Sequence, residues 1–201
     1  MSKVYDLFRN FWDIAVGIAV ASAFFVLSTD KIRELLARDP AQGVLVILAL
    51  VSSVLWLLAY MYGTRTELEF LRGYSDDSEV EAVAREFSWE GFLVVAGLAV
   101  CFGALIGAVA KPVTYASIAI ALQIADSCGF TIVQRVLFRA NQRDALHPAL
   151  LEYYFYRPHA LRCIGRLVCF GGALLLAIMG AMTGNHLFTL SSFCLIVVSR
   201  G

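Results

Sequence analysis

Long apolar runs that contain almost no charged residues constrain this chain more than any other feature. Five of them have 18 to 21 residues, and about 20 apolar residues in a helix cross the roughly 30 Å hydrocarbon layer of a bilayer. The predicted transmembrane helices are residues 11–28, 43–62, 91–110, 113–133 and 164–183, with a short sixth at 187–199. The sequence therefore predicts an all-α polytopic membrane protein with about six spans, forming a single transmembrane domain over residues 1–201.

Composition supports the membrane interpretation and excludes an ordinary soluble domain. Hydrophobic residues make up 60% of the chain and charged residues only 16%, whereas soluble domains carry about 25% charged residues. The net charge is zero, so no overall field attracts nucleic acid. Five scattered cysteines do not indicate a disulfide framework.

The sixth run has only 13 residues. A helix of that length covers about 20 Å, which is too short to cross an average bilayer unaided. Two explanations are compatible with the pattern: a half-helix that enters the membrane without crossing it, or truncation of a longer chain. The sequence does not distinguish them.

The basic residues predict the orientation. With the amino terminus inside, 12 of the 16 lysines and arginines lie on the cytoplasmic side and 4 lie outside. Cytoplasmic loops are enriched in lysine and arginine. We therefore expect a multi-pass protein of the plasma (inner) membrane, with a cytoplasmic amino terminus and, if the sixth run crosses, a cytoplasmic carboxyl terminus.

The spacing of the runs predicts three helical hairpins, because only Lys111 and Pro112 separate the third run from the fourth. A faint internal repeat accompanies them. Segments 9–20 and 85–100 both begin with Arg-x-Phe and end with Gly-x-Ala-Val, and Val-Cys-Phe-Gly recurs at 100–103 and 168–171. This pattern favours a weak parallel repeat about an axis normal to the membrane. The alternative is chance similarity between apolar sequences.

Asp126 is the most informative single residue. It lies well inside the fourth run, where an acid costs about 2.5 to 3.5 kcal/mol on insertion scales. Gln123 is one helical turn away and Ser127 is adjacent, so the three predict a polar stripe that faces protein or water. One hypothesis is a cation or proton site formed by Asp126, Gln123 and Ser127. The other is a carboxyl group that hydrogen-bonds across a helix interface.

Small residues recur at four-residue spacing on three of the runs. Such faces allow close approach of helix backbones, and packing drives helix association in lipid. The predicted helix-packing residues are Ala15, Ala19 and Ala23, then Ala99, Gly103 and Gly107, and finally Ala173, Ala177 and Ala181. The pattern does not reveal whether the partner helix belongs to the same chain or to another.

Two long loops are predicted on the cytoplasmic side. Loop 63–90 has eight acids against three arginines, a net charge of −5, which is typical of a solvated or docking surface. Loop 134–163 combines arginines with Tyr-Tyr-Phe-Tyr at 153–156, a composition that suits the anionic leaflet. We expect the partners to be the bilayer and other membrane subunits or a second copy, and not nucleic acid.

Signatures of enzymes and cofactor sites do not occur in the sequence. It has no Gly-x-Ser-x-Gly, His-Glu-x-x-His or phosphate loop, so we expect no catalysis, cofactor or metal. Two functions remain. The first is a helix-packing subunit of a membrane complex that docks partners through loops 63–90 and 134–163. The alternative is a small channel or transporter for a cation or proton that uses Asp126.

Overall fold

The computed structural model of the chain describes residues 10, 13–14, 16–18, 20–22, 25, 30–72, 82, 85–86, 88–142 and 159–199. These residues form helices and short turns, with no strand among them. The helices are α1 (Asp30–Arg38), α2 (Pro40–Arg72), α3 (Ser88–Gly107), α4 (Pro112–Asn141), α5 (His159–Thr183) and α6 (His186–Val198).

Four helices are long and apolar enough to cross a membrane. The segments are Pro40–Tyr60, Trp89–Gly107, Pro112–Val136 and Leu161–Thr183, which correspond to the second to fifth predicted spans. Half of the first predicted span lies outside the described residues, and α6 has 13 residues. The all-helical class is therefore confirmed with four such helices, whereas the count of six and the arrangement as three hairpins stay predictions.

Three helices extend five or more residues beyond the predicted limits of the spans. Helix α2 continues to Arg72, ten residues into predicted loop 63–90, and α4 and α5 take up both ends of predicted loop 134–163. The end of an apolar run shows only where the chain leaves lipid. The helix can continue beyond that point, because each further residue adds a hydrogen bond to a helix that has already formed. Arginine, leucine and glutamate in these extensions are good helix formers. The loops are therefore shorter than the limits of the apolar runs predicted.

The short charged segment before the second predicted span, residues 29–40, contains a separate helix, α1. Asp39 ends it and begins α2: its Oδ1 accepts a hydrogen bond from Gln42 N at 3.1 Å. Pro40 occupies the first position of α2, where a missing N–H costs nothing and the fixed φ suits a helix. Local sequence therefore explains this break completely.

The turn between α5 and α6 also follows from local sequence. Gly184 has a φ of 67°, a left-handed conformation that glycine adopts without strain. Asn185 then caps α6, because its Oδ1 accepts from Leu187 N at 2.9 Å. The two helices pack together along their length.

The core lies where α2, α3, α5 and α6 meet α4. Trp56 of α2 makes edge contacts with Phe102 of α3 and Phe170 of α5, at ring-centroid distances of 5.6 and 6.0 Å. Tyr115 of α4 packs edge-on against Phe193 of α6 at 5.2 Å. Aromatic pairs at these distances and angles are favourable, so five helices share one interior.

Candidate functional site

A polar cluster surrounds Asp126 at the interface of α2, α4 and α5. The Tyr60 hydroxyl of α2 donates a hydrogen bond to Asp126 Oδ1 at 2.7 Å. Gln123 Nε2, one turn back on α4, lies 3.4 Å from Asp126 Oδ2. The half-buried carboxylate therefore has a neighbour at each oxygen, and the bond from Tyr60 joins two helices.

Gln123 is the most deeply buried polar side chain of the cluster, with 2% of its surface exposed. Its Nε2 has three neighbours, each near the upper limit of hydrogen-bonding distance: Asp126 Oδ2 at 3.4 Å, Ser127 Oγ at 3.5 Å and Cys163 Sγ at 3.9 Å. Among the described residues its Oε1 accepts no hydrogen bond. Buried amides usually satisfy both their donors and their acceptor, so the hydrogen-bonding capacity of Gln123 is only partly used.

Ser127 completes the predicted stripe but turns toward the backbone. Its Oγ donates to the Gln123 carbonyl oxygen at 2.8 Å, a bond that small hydroxyl residues commonly make within helices. The structure thus places Asp126, Gln123 and Ser127 together, as one face of α4 requires.

Sequence reasoning missed two residues of this cluster, Tyr60 and Cys163. Tyr60 lies near the end of the predicted span 43–62, and Cys163 is the last residue of predicted loop 134–163. No local pattern links Tyr60 to an acid 66 residues away. A polar aromatic residue near the end of an apolar run is the only signal, and it fits interface anchoring equally well.

The chemistry open to this cluster is limited. A carboxylate with a phenol and an amide can hold a proton or a cation with hard oxygen ligands. Within the described part of the chain, no three His, Cys, Asp or Glu residues are placed to bind a metal ion. The same geometry also serves as a hydrogen-bonded tie between helices.

The predicted small-residue faces have different surroundings. Ala173 and Ala177 of α5 are fully buried, and Ser192 of α6 donates to the Ala173 carbonyl oxygen at 2.7 Å. For these two the partner helix belongs to the same chain, whereas Ala181 is exposed. Residues 15, 19 and 23 lie outside the described part of the chain.

On α3 the predicted small-residue face is only partly covered by the rest of the chain. Ala99 packs against the core, and a Cβ built on Gly103 would lie 3.7 Å from Ser22 Oγ, in ordinary contact. Gly107 is exposed, and no described atom lies within 4 Å of such a Cβ. No described part of the chain therefore packs closely against Gly107.

Charged pairs mark the two ends of the bundle. At one end Arg139 Nη1 lies 2.6 Å from Glu86 Oε2, and Arg135 Nη1 lies 4.0 Å from Glu90 Oε2. These pairs join the described ends of the two predicted cytoplasmic loops. At the other end His186 Nε2 lies 3.4 Å from Asp39 Oδ2. Residues predicted to share a side of the membrane thus meet in space.

Comparison with known proteins adds no relative: no family model, no curated protein and no solved structure matches the chain.

Proposed function

We propose that this protein is a non-catalytic membrane subunit that packs against a transmembrane helix of another chain. The contact surface is the open face of α3, defined as Leu93, Gly97, Val100, Ala104 and Gly107. These residues are three or four positions apart and share one side of the helix. The charged loops 63–90 and 134–163 add cytoplasmic docking surfaces.

The surroundings of the open face carry the proposal. No described atom lies within 4 Å of a Cβ built on Gly97 or Gly107, while Val100 between them is 71% exposed. Small residues let two backbones approach closely in lipid, where packing rather than hydrophobicity drives association. Two glycines flanking exposed apolar side chains favour a second helix at this face.

Asp126 supports the same conclusion. Tyr60 and Gln123 already occupy its two oxygens, so an interhelical tie accounts for an acid inside the span. A hydrogen-bonded link between two helices requires no bound ligand.

A cross-linking experiment tests the proposal. We expect a photoactivated residue at position 100 to give a protein adduct of defined mass in native membranes, either a dimer of this chain or the chain plus one partner. Changing Gly97 and Gly107 to leucine should lower the adduct yield about tenfold, because the leucine side chains hold the backbones apart.

The matched control is Gly171→Leu on α5, where a Cβ also meets no described atom within 4 Å. That variant should keep the adduct. Cross-links to lipid alone, or equal loss in the control, would contradict the proposal.

Gln123 favours a second candidate, a cation or proton site. Rotating its amide by half a turn exchanges donor for acceptor. Oxygens of Gln123, Asp126 and Ser127 would then face one another, as hard cations prefer. Flux measured after reconstitution into liposomes separates the candidates: a proton or cation flux that is lost in Asp126→Asn and kept in Glu86→Gln would favour transport over the packing subunit.

The orientation belongs to the proposal as well: loops 63–90 and 134–163 face the cytoplasm of a plasma (inner) membrane, as their arginines favour. Lys111 then lies outside. A single cysteine at position 111, with the native cysteines replaced, should react with a membrane-impermeant maleimide in intact cells. Protection there, with labelling only after the membrane is opened, would reverse the orientation.

A further inference from the structure

A groove of about 410 Å³ opens on the surface of the bundle where α3, α4 and α5 meet. Helix α3 contributes Glu90 and α5 contributes Leu167. The remaining lining residues lie on one side of α4, since each is three or four positions from at least one other: Ile124, Ser127, Cys128, Thr131, Ile132 and Arg135. The groove is separate from the open face of α3.

The groove has the length and position of one bilayer leaflet. From Ile124 to Arg135 the helix rises about 16 Å at 1.5 Å per residue, and half of the hydrocarbon layer is about 15 Å. Arg135 lies at the end of the span Pro112–Val136, and Glu90 follows the first residue of the span Trp89–Gly107. Their charges therefore mark the level of lipid head groups.

The walls of the groove are apolar below this level. Ile124, Ile132 and Leu167 present hydrocarbon. The two hydroxyls are engaged with the backbone: Ser127 Oγ donates to the Gln123 carbonyl oxygen and Thr131 Oγ1 to that of Ser127, at 2.8 and 2.9 Å. Such a surface suits an acyl chain rather than a polar molecule.

The rim carries two opposite charges that are not in close contact. Arg135 Nη1 and Glu90 Oε2 are 4.0 Å apart, with 62% and 50% of their side chains exposed, whereas Arg139 and Glu86 one turn further out approach to 2.6 Å. A zwitterionic head group can pair with both Arg135 and Glu90. Arginine recognises phosphate, and a carboxylate accepts hydrogen bonds from a primary ammonium.

We propose that this groove binds one glycerophospholipid with a phosphoethanolamine head group. Its phosphate lies beside Arg135, its ammonium beside Glu90, and one acyl chain follows α4 toward Ile124. This inference goes beyond the proposed function and does not depend on it, since the open face of α3 contributes no residue to the groove.

Native mass spectrometry of the detergent-solubilised protein tests the proposal. With phosphatidylethanolamine, phosphatidylcholine and phosphatidylglycerol added at equal mole fractions, one phosphatidylethanolamine should remain bound preferentially. Arg135→Gln and Glu90→Gln should each lower that retention up to about fivefold, because one exposed ion pair contributes up to about that factor. Arg139→Gln, one turn away and outside the groove, should retain the lipid as the parent does.

A second kind of variant guards against misfolding. Cys128→Trp leaves both charges in place but fills the groove, and should also lose the lipid while keeping monodispersity and helical content. Equal retention of all three lipids would overturn the proposal by indicating a non-specific annulus. Preference for phosphatidylglycerol, or retention of phosphatidylcholine equal to phosphatidylethanolamine, would overturn it by removing the role of Glu90.

Discussion

Replacing Gly180 by leucine is expected to lower the free energy of unfolding by about 3 kcal/mol, at the upper end of the range for overpacked interiors. A Cβ at this position would lie 2.7 Å from Thr189 Oγ1, 3.2 Å from Thr189 N and 3.4 Å from Phe188 Cβ. A hydroxyl can rotate away, but the backbone nitrogen belongs to α6. The two helices would have to separate, with loss of the packing between them.

Helicity measured by circular dichroism during titration of mixed micelles with a denaturing detergent gives this free energy. Gly171→Leu is the matched control on the same helix, because a Cβ there meets no described atom within 4 Å. Removing a glycine from a helix gains up to about 1 kcal/mol of propensity in both variants. The control should therefore be as stable as the parent or more so, and equal destabilisation of both would show that Thr189 does not limit the space.

Replacing Phe102 by alanine is expected to cost about 2 kcal/mol. The ring is 1% exposed and contacts Trp56 and Tyr60 at centroid distances of 5.6 and 5.7 Å. In a bilayer the unfolded helices are also surrounded by hydrocarbon, so burial from water contributes little. The cost is mainly that of the cavity, about 24 cal/mol per Å³ for a void on the order of 100 Å³.

The same titration measures this variant, with Leu55→Ala as its control. Leu55 precedes Trp56 on α2 and is 60% exposed, so its loss leaves no internal cavity. A difference below about 0.5 kcal/mol between the two variants would contradict the central position of Phe102. A real cavity would also loosen Tyr60, and with it the hydrogen bond to Asp126.

The outcome for the small residues shows what a pattern can and cannot predict. Ala173, Ala177 and Gly107 all satisfied the four-residue spacing, and the spacing is equally compatible with any partner. The first two lie in the interior, whereas Gly107 faces outward. Spacing predicts a face that can pack closely; only the positions of the other helices decide which face is already occupied.

The sequence by itself determined the all-helical class, the four long apolar helices and the turns at Asp39–Pro40 and Gly184–Asn185. Each depends on residues close together in the chain: apolarity over about 20 positions, a side chain that caps the next turn, or a glycine that tolerates positive φ. The alignment of Asp126, Gln123 and Ser127 on one face also follows from the helical repeat.

The tertiary structure alone decided what these faces meet. Tyr60 reaches Asp126 across 66 residues, and Glu90 meets Arg135 across 45. In lipid the apolar effect does not select one helix pairing over another, because every apolar surface is already in hydrocarbon. Shape and a few hydrogen bonds decide the pairing, and both are properties of two surfaces together rather than of either sequence segment.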